Sequence, residues 1–227
     1  MSLLRLYHGS EKKLETPQFG LGSPRNDYGL GFYCTEHLEM ANEWAVRNGN
    51  DGVSNEYRFD ATGLSVLDLN GEGYTILHWL AVLLQNRIFD IPAPLAFEAR
   101  AYIVETFPVP YEKADVIRGY RADDSYFSFA QDFLNGTISL QQLERAMHLG
   151  NLGEQIVVKS KKAFNRLEFV GAEFVPAEIW APARDARDAQ ARREYFDIER
   201  NRRQPSDLFI ATIIDEGMDA HDLRLRP

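Results

Sequence analysis

The chain has one cysteine, Cys34, among 227 residues, so it can form no internal disulfide and suits a reducing compartment. Cys34 lies in an apolar stretch with no adjacent base and is expected to be core, not nucleophile. There is no apolar run of membrane-spanning length and no secretory signal pattern, which gives the expectation of a cytoplasmic protein that makes no use of a membrane. No Gly-x-Gly-x-x-Gly follows a strand and no Gly-Lys-Ser or Gly-Lys-Thr closes a phosphate loop, which disfavours a Rossmann dehydrogenase or a nucleotide triphosphatase. No His or Cys completes a ligand set near the acidic residues, so no metal is expected. Basic residues are in deficit, 25 against 34 acidic ones, and the net charge of −9 provides no broad attraction to nucleic acid. A protein acceptor or partner is favoured over DNA or RNA.

Three short stretches carry chemistry. Leu3 to Ser10 reads as a strand ending at Gly9, which puts His8 where strand gives way to loop. Gly9 has no Cβ, so its backbone N–H and C=O can approach a flat ligand that needs one donor and one acceptor side by side. A solvated histidine at a turn is the plainer account. The second stretch, Asp27-Tyr28-Gly29-Leu30-Gly31, is a two-glycine turn followed by the short strand Phe32-Tyr33-Cys34. A helix is predicted from Glu36 to Val46 with Thr35 as its N-cap. Tyr33 and Trp44 lie eleven residues apart; they are either core aromatics or the two sides of a slot for a flat ring. The third, Glu154 to Lys159, is rich in β-branched residues and follows Gly150 and Gly153, so it reads as a strand with Glu154 at its mouth. A carboxylate there could hold a ribose hydroxyl and stabilise positive charge on a neighbouring carbon. An edge glutamate in water is the alternative.

Leu-Tyr-His-Gly-Ser, then Tyr-Gly-Leu-Gly-Phe-Tyr-Cys-Thr with Ala41-Asn42-Glu43-Trp44, then Glu-Gln-Ile-Val-Val occur in an order that resembles the His-Tyr-Glu ADP-ribosyltransferases, the diphtheria-toxin and poly(ADP-ribose) polymerase branch. The resemblance covers roughly residues 3 to 180. It implies an α+β fold around a split mixed β-sheet and NAD as substrate. His8 and Glu154 would hold the nicotinamide-side ribose, Gly9 would pair with the carboxamide, and Tyr33 and Trp44 would stack on the nicotinamide. More narrowly, the chain is similar to a bacterial domain family of unassigned function grouped with these enzymes, through Asp27 to Tyr33, Ala122-Asp123-Asp124, and Gln155 with Lys162 to Phe169. Members of that group are suspected toxins beside small antitoxins, which implies an antitoxin partner. Relatives that modify arginine carry an acidic residue two places before the glutamate; here that place holds Leu152, which argues against an arginine acceptor. Residues 154 and 155 point to opposite faces of a strand, so only one of Glu154 and Gln155 enters the cleft. By the same resemblance, Asn151 and Leu152 ahead of the glutamate are the substrate-facing positions. The function implied is mono-ADP-ribosylation of a macromolecular acceptor, with an NAD glycohydrolase or a non-catalytic NAD-binding module as alternatives.

The rest of the chain supplies scaffold. Glu56 to Phe59 and Leu64 to Leu69 read as two strands around a turn, and helices are predicted over Thr75 to Asn86 and Ala93 to Phe107. His78, beside the apolar face of the first, is structural or solvated. Asp123 and Asp124 either cap the helix Tyr126 to Leu134 or recognise the acceptor, with Arg121 nearby. Ser139 with Gln142 forms a capping-box pattern for a helix to His148. Ala163 to Ala181 reads as strand-rich, with Glu178-Ile179-Trp180 as a strand. A mixed-charge helix follows from Ala183, so residues 1–182 are expected to form the catalytic domain and 183–227 a helical extension packed on it. Its arginines at 192, 193, 200, 202 and 203 read as a salt-laced surface. Between the first two motifs, Ser10, Arg25 and Asn26 are the donors available to the phosphates of NAD, Arg25 through bidentate contact.

Overall fold

The computed structural model describes residues 3–91, 93–122, 124–149, 154–199 and 202–226. The architecture is mixed α and β, with two sheets. The first joins β1 (Leu3–Ser10), β3 (Gly52–Asp60) and β7 (Leu167–Val175) in the order β1-β3-β7, antiparallel throughout. The second has the order β2-β6-β5-β4, from β2 (Phe32–Cys34), β6 (Glu154–Val158), β5 (Val116–Tyr120) and β4 (Val66–Asp68). Its β4–β5 pair is parallel and the others antiparallel, so this sheet is mixed.

Strand alternation decides which side chains form each layer. Phe32, Cys34, Val116, Ile156 and Val158 on one face of the second sheet meet Leu6, Tyr57 and Phe59 of the first, and these make the inter-sheet core. Ile117 and Val157 on the opposite face pack on a larger cluster. That cluster is built by α2 (Ile76–Asn86), α3 (Pro94–Thr106), α4 (Asp124–Leu134), α5 (Leu140–Ala146) and α8 (Ile210–Asp215). The helix α1 (Leu38–Ala45) lies against β1 and β3, the single turn α6 (Lys161–Phe164) follows β6, and α7 (Ala177–Glu194) follows β7. No helix among the described residues is long and apolar enough to cross a membrane.

Locally encoded elements form as expected. Ser139 Oγ accepts from Gln142 N–H at 3.2 Å and Gln142 Oε1 accepts from Ser139 N–H at 2.9 Å, a complete capping box. His78 is structural: its Nδ1 lies 3.0 Å from Thr75 N and closes the start of α2. Two expectations, for Thr35 and for Glu178 to Trp180, are corrected, and one pairing is settled by the structure. Thr35 does not cap α1: its backbone exchanges hydrogen bonds with Tyr7, so the chain stays extended, His37 takes the N-cap place and Thr35 Oγ1 accepts from His37 N–H at 3.1 Å. The strands before and after the Asp60 to Gly63 turn do not pair with each other: β3 belongs to the first sheet, while β4 pairs with β5 in the second. Glu178-Ile179-Trp180 is helical, inside α7, which starts directly after Pro176. The boundary expected between 182 and 183 therefore falls within one continuous helix. Arg187 on α7 grips the buried Glu43 of α1 with contacts of 2.6 to 3.1 Å.

Candidate active site

Among the described residues, one isolated backbone bridge joins the two sheets. Tyr7 N–H donates to Thr35 O at 2.7 Å and Thr35 N–H donates to Tyr7 O at 2.9 Å, an isolated antiparallel bridge. Because Tyr7 spends both backbone groups on Thr35, they point away from β3, and Gly9, two residues on, presents its N–H and C=O on the same side. Continuing that register puts Gly9 opposite Tyr33, where the strands have parted. His8 closes part of the gap: its Nδ1 lies 2.7 Å from Tyr33 O. A carbonyl only accepts, so Nδ1 carries the proton and Nε2 is left as an acceptor. Burial lowers the His8 pKa, outweighing the bond to Tyr33, so the ring is neutral at pH 7. It packs on Phe32 with ring centroids 4.3 Å apart, in the space between the sheets.

Gly9 has a second constraint. A Cβ there would stand 1.9 Å from Ala41 O and 2.9 Å from Trp44 Cβ, so β1 and α1 are in backbone contact. Gly9, Ser10, Lys12, Trp44, Arg47 and Asn48 line a cavity of about 500 Å³. The structure thus brings Trp44 to Gly9, with the Arg121 guanidinium 4.9 Å from the centre of the indole ring. Ser10 Oγ is committed: it donates to Lys12 O at 2.7 Å and accepts from Asn55 Nδ2 at 2.9 Å. The fully buried Asn55, which the sequence did not single out, also donates to His8 O and accepts from Leu14 N–H, fixing the loop that leaves β1.

Tyr33 contributes its carbonyl to the seam, but its ring lies on the other face of the second sheet, with Val157 and Gln155. Its hydroxyl donates to Gly29 O at 2.6 Å and accepts from Tyr28 N–H at 3.0 Å, and burial pushes its pKa up. Among the described residues no ring contact joins Tyr33 to Trp44. Gly29, at φ 72°, and Gly31, whose Cβ would stand 2.6 Å from Val157 Cγ1, are both required by this tight turn.

Glu154 and Gln155 divide between the faces. Gln155, 3% exposed, points into the helical side and donates to the buried Asp27 at 2.7 Å and to Tyr120 O at 3.2 Å. Asp27 also accepts from Ala122 N–H at 3.0 Å and pairs with Arg87 at 3.3 Å; burial raises its pKa against these partners. Glu154 shares the face of Phe32 and Cys34, the face on which His8 packs. Its Oε1 accepts from Asn70 Nδ2 at 2.7 Å, and its Oε2 is 2.5 Å from Arg118 Nε. Arg118 Nη2 in turn pairs with Glu36, one residue beyond the Thr35 bridge. Asn70, Arg118 and Glu36 were not expected in the site; only pairing across β5 and β6 reveals them. Arg25 is exposed, with its backbone N–H on Ser23 Oγ, and Asn26 uses its carbonyl on Gly29 N–H. Asp124 is the first residue of α4. Asp123, Asn151 and Leu152 lie outside the described residues. Among the described residues there is no group of three or more His, Cys, Asp and Glu placed to hold a metal.

Fold and seam define an α+β protein whose two sheets part around a histidine and a glycine edge. The chain belongs to the family described as Protein of unknown function (DUF3990), whose model matches residues 4–169. No curated protein and no solved structure matches it.

Proposed function

We propose that this protein is an NAD-dependent mono-ADP-ribosyltransferase acting on a macromolecular acceptor, built on the split-sheet fold of the superfamily it resembles. The observation that carries this reading is that His8 lies beside the unpaired backbone edge of Gly9 where the sheets part, while Glu154 projects from the same face of the second sheet on which His8 packs. The fixed tautomer of His8 suits Nε2 to accept from a ribose hydroxyl. Gly9 offers the donor and acceptor pair that a carboxamide needs. Trp44, packed against Gly9, is the aromatic wall for the nicotinamide, while the Tyr33 carbonyl holds the His8 ring in place. Glu154 would hold the nicotinamide-side ribose and stabilise the charge that develops as the bond from C1′ to the nicotinamide nitrogen breaks and nicotinamide leaves with the bonding pair. An acceptor nucleophile then bonds to C1′ and loses its proton. The net charge of −9 favours a protein acceptor, and a small antitoxin is the partner such a toxin-like enzyme would need.

Glu154→Gln tests the assignment. It is expected to lower nicotinamide release by about 10²-fold or more while leaving NAD affinity within a few-fold of wild type by calorimetry. Equal turnover by the variant would remove Glu154 from the chemistry. A binding module is the second reading, favoured by the engagement of both Glu154 oxygens; NAD that binds and stays intact would select it.

A further inference from the structure

The cavity beside Gly9 collects cations in an acidic chain. Its volume of about 500 Å³ is that of a small-ligand pocket, for which roughly 300–1,000 Å³ is usual. Lys12, in the loop that leaves β1, and Arg47, just past the end of α1, line it, and both are exposed. Neither makes an ion pair among the described residues, whereas the adjacent Lys13 is taken by Glu15 at 2.6 Å. Glu11, the one carboxylate among the lining residues, accepts from Asn48 Nδ2 at 2.8 Å. Two cations against one carboxylate leave the cavity positive in a chain whose net charge is −9. The negative end of α1 is already answered by donors: Val46 O accepts from Gly49 N–H at 2.8 Å and from Arg184 Nη1 at 3.1 Å. The loop that carries Lys12 is held at both ends, through Ser10 Oγ on Lys12 O at 2.7 Å and Leu14 N–H on Asn55 Oδ1 at 2.8 Å, so it is ordered before a ligand arrives.

We propose that this cavity takes the diphosphate of NAD, with Lys12 and Arg47 as its counter-charges. The identity of the ligand rests on the transferase reading above, while the anion site rests on the cavity itself. Gly9 belongs to both places: its backbone edge faces the parted strands, and it lines the cavity. A ligand that sets a carboxamide against that edge and carries its negative charge into the cavity is a dinucleotide of the NAD kind. The Arg47 guanidinium offers paired N–H donors in one plane, and the Lys12 ammonium is a point charge that can follow either phosphate. Trp44 and Leu14 supply apolar wall beside them. Arg25, the cation that the sequence offered to the phosphates, is not among the lining residues. The two cations bind and orient the donor, and no bond to phosphorus is made or broken.

The test is calorimetric titration of the full chain with ADP-ribose, which carries the diphosphate without the leaving group, and with nicotinamide, which carries no phosphate. The double variant Lys12→Gln with Arg47→Gln is expected to bind ADP-ribose about tenfold or more weakly and to keep its nicotinamide affinity within about twofold. Raising salt from about 50 to 200 mM should weaken ADP-ribose binding to wild type several-fold and to the double variant much less. Arg166→Gln, at a surface pair with Asp60, should leave ADP-ribose affinity at the wild-type level. ADP-ribose affinity unchanged in the double variant would overturn the inference and leave the transferase reading to Glu154→Gln. Equal losses for ADP-ribose and nicotinamide would also overturn it, since the loss would not be specific to phosphate. ADP-ribose binding that needs both cations, in a chain that releases no nicotinamide from NAD, would sustain the anion site and overturn the transferase reading.

Discussion

Environment separates side chains of the same type around the seam. Glu154 is held by Asn70 and Arg118 at the edge of the inter-sheet face. Glu144 on α5 is half-buried, and burial pushes its carboxyl up to about 7, with Arg145 offsetting only part of the effect. In the unfolded chain Glu144 ionises at its ordinary value, 4.5. Folding therefore carries no penalty from this group below pH 4.5, a growing one as pH rises to about 7, and a constant one above. Glu144→Gln, neutral throughout, is expected to match wild type at pH 4.5 and to exceed it by about 1 kcal/mol at pH 8, a figure reduced for partial exposure. Urea unfolding at the two pH values measures the difference; a constant offset would contradict it. Sequence patterns located His8, Gly9, Trp44 and Glu154 because each ends or flanks a recognisable element. They did not locate Asn55, Asn70, Glu36 or Arg118, whose partners described above lie from 36 to 84 residues away in the chain.

At the scale of elements, the seat of α1 on β1 decides whether the seam exists. The 1.9 Å approach of a Gly9 Cβ to Ala41 O sets backbone against backbone, so neither side gives way cheaply. Gly9→Ala is expected to cost about 3 kcal/mol and to weaken NAD binding, since Trp44 moves with the helix. Gly171→Ala on β7, with nothing within 4 Å of its Cβ, should stay within about 0.5 kcal/mol of wild type. Thermal unfolding of the pair checks both, and equal melting points would contradict the packing. Helices were legible where their signals are local, as with the Ser139 and Gln142 capping box of α5. Thr35 misled because a capping residue and a bridging strand residue look alike in sequence, and only the distant Tyr7 distinguishes them. Trp180 misled because a short segment with two β-prone residues, Ile179 and Trp180, fits a strand or a helix equally well.

For the whole molecule, composition and alternation were enough to give a mixed α and β protein with strands around a helical insert. They could not divide the strands between sheets, since β3 and β4 are neighbours in sequence and find their partners far along the chain. The division is what matters for the proposed function: among the described residues one backbone bridge, at Tyr7 and Thr35, joins the sheets, and beyond it the strands part around His8 and Gly9. Asp27 ties the turn before β2 to β5 and β6 through Ala122 and Gln155, so Glu154 and the glycine turn are held in one frame. The central claim is that this frame serves transfer of ADP-ribose from NAD. The most direct measurement is incubation of the purified chain and its Glu154→Ala variant with adenylate-labelled NAD in cell extract. Label carried onto a macromolecule by wild type and absent with the variant is the predicted result; NAD intact in both tubes would contradict it.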